Sequence, residues 1–155
     1  MKLGDDVITL VRNSVLSENE DLKLSQAECF DIVLNDTKEV VGIISYRYKG
    51  YNNCIDYGGN INYRIKPDKR GNGYSKRALT LMLDILKENT KFDESLYVAS
   101  SLDNKNYLKV AYECGGKMIH RGKVPDSVID QYYDHDMKEV EVYRFDIEKL
   151  KFKER

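Results

Sequence analysis

Tryptophan is absent from the 155-residue chain, proline occurs twice and cysteine three times. So little proline argues against a long disordered tail. Cys29, Cys54 and Cys114 are odd in number, far apart, and form no CxxC pair; with only His120 and His135 to assist them, neither a disulfide framework nor a metal site is expected. No apolar run reaches the length of a membrane span, and the opening MKLGDDVITLVRNS lacks a signal-peptide core. A reduced, soluble, cytoplasmic protein is the expectation. An excess of one charge is lacking too: 25 Lys+Arg against 26 Asp+Glu leave a formal charge of -1. No global positive field is available to hold nucleic acid or an anionic bilayer, so any anion site must be built locally.

What is present suits a single domain over residues 1–155, with 41% hydrophobic residues and no internal repeat or linker. Val7 to Val11 reads as a strand followed by a short helix. Phe30, Ile32 and Leu34 alternate, Asn35-Asp36-Thr37 supplies turn chemistry, and Val40 to Tyr48 is β-rich, which predicts an antiparallel hairpin. Past Gly58-Gly59, a strand over Asn60 to Ile65 is stopped by Pro67. Between Tyr74 and Asn89 the period becomes helical, with Ala78, Leu79, Met82, Leu83, Ile85 and Leu86 on one face and Lys76, Thr80, Asp84, Lys87 and Glu88 on the other. Leu96 to Ser100 is the next strand. Asn104 to Cys114 is a second helix ended by Gly115-Gly116, and Met118 to Arg121 and Val140 to Asp146 close the pattern as strands. The fold class is α+β, a mixed and mostly antiparallel sheet carrying helices on its faces.

Chemistry concentrates in residues 65–78, IKPDKRGNGYSKRA. A strand ends, a loop holds Gly71 and Gly73, and a helix begins at once, so backbone N–H groups converge at the positive end of a helix dipole. Lys69, Arg70, Lys76 and Arg77 add four cations around the same loop. Neither GxxxxGK[ST] nor a full dinucleotide fingerprint is present. A glycine turn capping a basic surface helix is the alternative reading of the loop alone.

Arg70-Gly71-Asn72-Gly73-Tyr74-Ser75 resembles the acyl-CoA pyrophosphate loop of the GNAT superfamily of N-acetyltransferases, R/Q-x-x-G-x-G/A, with Ser75 standing where the family has Gly or Ala. Downstream, Asp103-Asn104-Lys105-Asn106-Tyr107, a helix, and Gly115-Gly116 resemble the family's asparagine-headed helix. The resemblance spans about residues 28–147. It implies a splayed central strand pair with the pantetheine arm of acetyl-CoA, a co-substrate used without metal, lying in the gap. Tyr63 and Ile65 would offer it backbone groups, and Gly71, Asn72, Gly73, Tyr74 and Ser75 would cradle the pyrophosphate. Arg70 or Lys76 would screen its charge, and Asn104 would reach the cofactor from the opposite helix.

The implied reaction is direct transfer of an acetyl group to an amine in a ternary complex; a non-catalytic acyl-CoA binding or sensing domain is the alternative. Two departures from the family pattern bear on the choice. Gly58, Gly59 and Asn60 occupy the region of the family glutamate, and Ala111 the position of the family tyrosine. Tyr112 is turned about 100° from Ala111 on a helix, whereas Tyr107 shares its face and is the weak candidate for the catalytic acid. The acceptor is a small-molecule or peptide amine. The acidic, aromatic stretch Pro125 to Lys138, with Asp126, Asp130, Asp134 and Asp136 around Tyr132-Tyr133, favours a cationic one, and a homodimer is left open.

Overall fold

The computed structural model describes residues 3–16, 27–47, 55–88, 96–129 and 139–146. Strands β1 (Ile8–Leu16), β2 (Ala27–Leu34), β3 (Val40–Arg47) and β4 (Ile61–Ile65) form one sheet in that order. The hairpin expected from the alternation of Phe30, Ile32 and Leu34 is the β2-β3 pair, turning at Asn35–Thr37. Strand β1 runs beyond the expected Val7 to Val11 because β2 templates it from Ile8↔Leu34 to Leu16↔Ala27, across a bulge between Arg12 and Ser14. The short helix expected after it falls outside the described residues, as does the acidic core of the segment from 130 to 138.

A second sheet has the order β5-β7-β6, from β5 (Leu96–Ser101), β6 (Lys117–Lys123) and β7 (Glu139–Phe145). Every ladder among the described residues is antiparallel, in keeping with the mostly antiparallel α+β fold expected, and no parallel ladder joins the two sheets there. The reason is local. Strands β4 and β5, which a strand-helix-strand crossover connects, form no ladder; they are joined at Asn60 and Tyr97 and otherwise belong to different sheets.

Two helices hold the sheets together. Helix α2 (Tyr74–Glu88) buries Ala78, Leu79, Leu81, Met82, Leu83, Ile85 and Leu86 and packs on β1, β3 and β4. Lys87, expected on its polar face, is instead buried, with Nζ 3.5 Å from Asp84. Helix α3 (Lys105–Glu113) buries Leu108 and Ala111 and packs on β5, β7 and α2. One apolar cluster therefore runs from Ile8, Leu10, Ile32 and Ile44 through Leu79 and Met82 to Leu96 and Phe145, spanning both sheets. Full burial of each such side chain stabilises by about 1.5–3 kcal/mol, so this shared core fixes the sheets relative to one another without a ladder between them.

A smaller cluster, Val124, Val140 and Val142 with Tyr57, Tyr97 and Ile129, lies under α1 (Ile55–Gly58) and α4 (Asp126–Ile129). These two helices were not foreseen: each has 4 residues, too few to show a period. Among the described residues no helix is long and apolar enough to cross a membrane.

Candidate functional site

The loop after β4 begins with a 3-10 turn, Pro67–Lys69, and enters α2 through Arg70 to Gly73. Gly71 and Gly73 have φ of 83° and 77°, and a Cβ at either would meet nothing within 4 Å. Glycine is thus required by backbone conformation rather than by packing against the protein, and the space above the loop is open. The Gly73 carbonyl accepts the Arg77 N–H at 3.2 Å, which makes Gly73 the residue that caps α2. The N–H groups of Tyr74, Ser75 and Lys76 then have no intrahelical acceptor and lie at the positive end of the helix dipole. Asn72 folds inward, its Nδ2 donating to the Lys69 carbonyl at 3.0 Å, so its side chain shapes the loop.

The four cations are less available than their density in the sequence implied. Lys69 pairs with Glu39 at 3.1 Å, Lys76 with Glu113 at 3.3 Å, and Arg77 with Asp5 at 3.0 Å and Asp6 at 3.1 Å. Carboxylates from the β2-β3 turn, the end of α3 and the N-terminal turn converge on the loop and offset most of its charge. Lys76, expected to screen a phosphate, stands at the loop with Glu113 as its ion-pair partner. Arg70 differs: its Nε donates to the Ile65 carbonyl at 3.1 Å, and no carboxylate pairs with it among the described residues.

The open edge of β4 follows from its register. Asn60 accepts from the Arg47 N–H at 2.8 Å, and the Lys66 N–H donates to Val41 at 2.8 Å, at opposite ends of the β3-β4 ladder. Hydrogen-bonded pairs alternate in an antiparallel ladder, so residues 60, 62, 64 and 66 face β3 and the N–H and C=O groups of Tyr63 and Ile65 face away from it. Of these four groups, the Ile65 carbonyl is the one Arg70 takes. Tyr63 and Ile65 therefore present backbone groups on an edge continuous with the loop.

Asn60 closes the far end of that edge. It is 1% exposed; its N–H donates to the Tyr97 carbonyl at 2.9 Å, and its Oδ1 accepts the Tyr97 N–H at 2.8 Å. A side-chain amide thus supplies half of a bridge that two strands would ordinarily make, and β4 and β5 diverge from it. Sequence reasoning treated Asn60 only as a strand start where a carboxylate was missing; an asparagine after Gly58-Gly59 was the available signal.

Tyr63 and Tyr107 span the gap on its helix side. Their rings stack at 4.1 Å with planes 14° apart. The Tyr63 hydroxyl donates to the Tyr107 carbonyl at 2.5 Å, and the Tyr107 hydroxyl donates to Asn62 Oδ1 at 2.8 Å. The two side chains run in opposite senses between β4 and α3. Burial, then the neighbouring Tyr107 hydroxyl, push the Tyr63 phenol far above its ordinary value, so it acts as a neutral donor. Ala111 is buried and Tyr112 is 67% exposed, which leaves Tyr107 as the tyrosine of α3 that faces the gap.

Asn104 is the N-cap residue of α3, its carbonyl accepting the Leu108 N–H at 3.1 Å, but its side chain makes no capping bond; its Nδ2 reaches Ser100 Oγ at 3.2 Å at the end of β5. It lies on a different element from the loop. His120 has Nε2 3.0 Å from the Lys123 carbonyl and its ring edge-on to Tyr57 at 5.1 Å, on β6. His135 lies outside the described residues. Among the described residues no group of three or more His, Cys, Asp or Glu could hold a metal ion.

Comparison with known proteins agrees with this geometry. The family model described as an acetyltransferase (GNAT) domain matches residues 9–117. No curated protein matches the chain. Among solved structures, an acetyltransferase from Agrobacterium tumefaciens superposes with TM-score 0.56 at 21% identity, covering 77% of this chain and 60% of that one. A ribosomal L7/L12 α-N-protein acetyltransferase in complex with coenzyme A gives 0.57 at 17% identity, covering 77% and 61%. The spermidine/spermine N-acetyltransferase of Vibrio cholerae gives 0.61 at 13%, covering 83% and 70%. The chain spans about three fifths of the length of the first two relatives. With the glycine loop at the head of α2, an edge of β4 left unpaired among the described residues and the divergence from β5 in place, the family match over residues 9–117 is decisive: the chain belongs to the GNAT acetyltransferase family.

Proposed function

We propose that the protein is an acetyl-CoA dependent N-acetyltransferase that moves the acetyl group from the thioester to an amine by direct attack. The observation that carries this reading is the continuity of loop and edge. N–H groups of Tyr74, Ser75 and Lys76 converge beside the open space over Gly71 and Gly73, and the edge groups of Tyr63 and Ile65 continue from there toward Asn60. An anionic pyrophosphate suits the first, and an arm of amide units suits the second as an added strand. Arg70 supplies the cation at the joint.

The amine attacks as its free base, and a lysine-like amine has a pKa of about 10.4, so its proton has to leave, through water or a base. The tetrahedral oxyanion takes a hydrogen bond from an edge N–H such as that of Tyr63. The departing thiolate belongs to a thiol of pKa about 8.5 and leaves without full protonation, so a general acid is the dispensable part. This fits a chain with Ala111 at the family's tyrosine position. The acidic stretch around Tyr132-Tyr133 supports a cationic amine as acceptor.

Gly73→Val tests the binding step. At φ 77° a side chain is strained by about 1–2 kcal/mol, and it projects into the space a phosphate would use. Losing one N–H contact to a charged group costs about 1.5–3 kcal/mol, so calorimetric affinity for acetyl-CoA should fall at least about tenfold with the fold retained. Unchanged affinity would place the site elsewhere. The absence of a carboxylate at Gly58 to Asn60 favours one second reading, a domain that binds acyl-CoA without turnover. Steady-state CoA release with a panel of amines separates the two.

A further inference from the structure

The gap beside β4 has a floor as well as a mouth. At its mouth is the glycine loop. At its far end the Asn60 amide and N–H grip both backbone groups of Tyr97, which brings β4 and β5 together. On its helix side, α3 belongs with the second sheet, yet Tyr107 reaches back to the first sheet to bond Asn62 at 2.8 Å. From Ile65 to Asn60 the strand advances about 16 Å at roughly 3.3 Å per residue. The Tyr107–Asn62 contact lies three residues beyond Ile65, in the deeper part of that run, and between it and Asn60 stands a single residue, Ile61, whose side chain is buried.

We infer that the Tyr107–Asn62 bridge and the Asn60–Tyr97 junction together limit the acyl group to a short chain, making Tyr107 and Asn62 specificity-determining residues for acyl length. The inference rests on the acyl-CoA reading above and adds to it which thioesters are accepted. An arm running along the Tyr63 and Ile65 edge groups delivers its thioester at the depth of Asn62. The acyl group then has the Tyr107 ring on one side and the closing strands ahead. The ring cannot readily swing aside, because it is stacked on Tyr63, itself 3% exposed, and is tied at its hydroxyl. A rigid boundary penalises methylenes that have nowhere to go, by about tenfold or more for each that does not fit.

The test is calorimetric binding of free CoA, acetyl-CoA, butyryl-CoA and hexanoyl-CoA to the full chain, which needs no knowledge of the acceptor. The parent should bind free CoA and acetyl-CoA and bind hexanoyl-CoA at least about tenfold more weakly than acetyl-CoA. Tyr107→Ala should bring that ratio to about threefold or less, and Asn62→Ala should reduce it partway by releasing the ring. Asn62 is exposed and its backbone pairs with β3, so this second variant keeps the fold if Tyr107→Ala does not. A parent that binds all chain lengths equally, or variants that keep the parental ratio, would overturn the inference while leaving cofactor binding intact. Failure of the parent to bind free CoA or any thioester would overturn the underlying reading, and the inference with it.

Discussion

Tyr107 spends its phenolic hydrogen on Asn62 in the resting protein, so its proton is not aimed at a leaving group. Tyr107→Phe keeps the stacked ring and removes only that hydroxyl. Turnover with acetyl-CoA should fall by no more than about tenfold, below the 100-fold or greater effect usual for a required acid or base. A loss of several thousandfold at constant cofactor affinity would show that the hydroxyl is an essential proton donor. A neighbouring site shows how one residue type can serve two ends. Gly116, unlike Gly115, has an ordinary φ, but a Cβ there would lie 2.8 Å from the Ala111 carbonyl and 2.9 Å from the Phe145 ring. Gly115 is therefore a matter of conformation and Gly116 one of close approach, a distinction invisible in the letters GG.

Among the elements, the N-terminal turn and the head of α2 are tied by charge. Burial by itself would raise the Asp5 pKa, but the N–H groups of Ile8 and Val7, 2.8 Å from its Oδ1, and the Arg77 guanidinium outweigh it and hold Asp5 below its ordinary 3.8. The folded state thus binds this proton less readily than the unfolded chain. The stabilisation is present in full above the unfolded value and is lost as pH falls through the lower native one. Urea unfolding midpoints of the parent and Asp5→Asn should therefore differ at pH 6 and converge toward pH 2 to 3; a difference independent of pH would exclude this linkage. Such ties explain what the sequence could not disclose. The strands of the hairpin and the face of α2 were legible because periods of two and 3.6 are local. Arg77 and Asp5 are separated by 72 positions, so nothing local announced that the cations of the loop are already partnered. The edge role of Tyr63 and Ile65 came through the family resemblance, while the bridging roles of the Asn60 and Asn62 side chains were not legible because polar residues in a short strand carry no period.

Across the whole molecule, two antiparallel sheets share one core and meet at a buried amide. Asn60→Ala would remove Oδ1 from the Tyr97 N–H, and leaving such a group without a partner costs about 1–3 kcal/mol. The loss should appear twice, as a lower urea midpoint and as weaker acetyl-CoA binding, because the same contact sets the angle between the strands. A stability loss with unaltered affinity would confine Asn60 to the fold. The divergence has one more consequence. An unpaired strand edge ordinarily invites another polypeptide to pair with it and aggregate. Here the edge of β4 faces β5 and the stacked tyrosines, and an incoming peptide would have to bring side chains into a space already bordered on those sides. A pantetheine arm carries amides on a slender backbone with no side chain at every step. On the acyl-CoA reading proposed above, the fold would admit its guest by slenderness, keeping a sticky edge open to one kind of chain and closed to proteins.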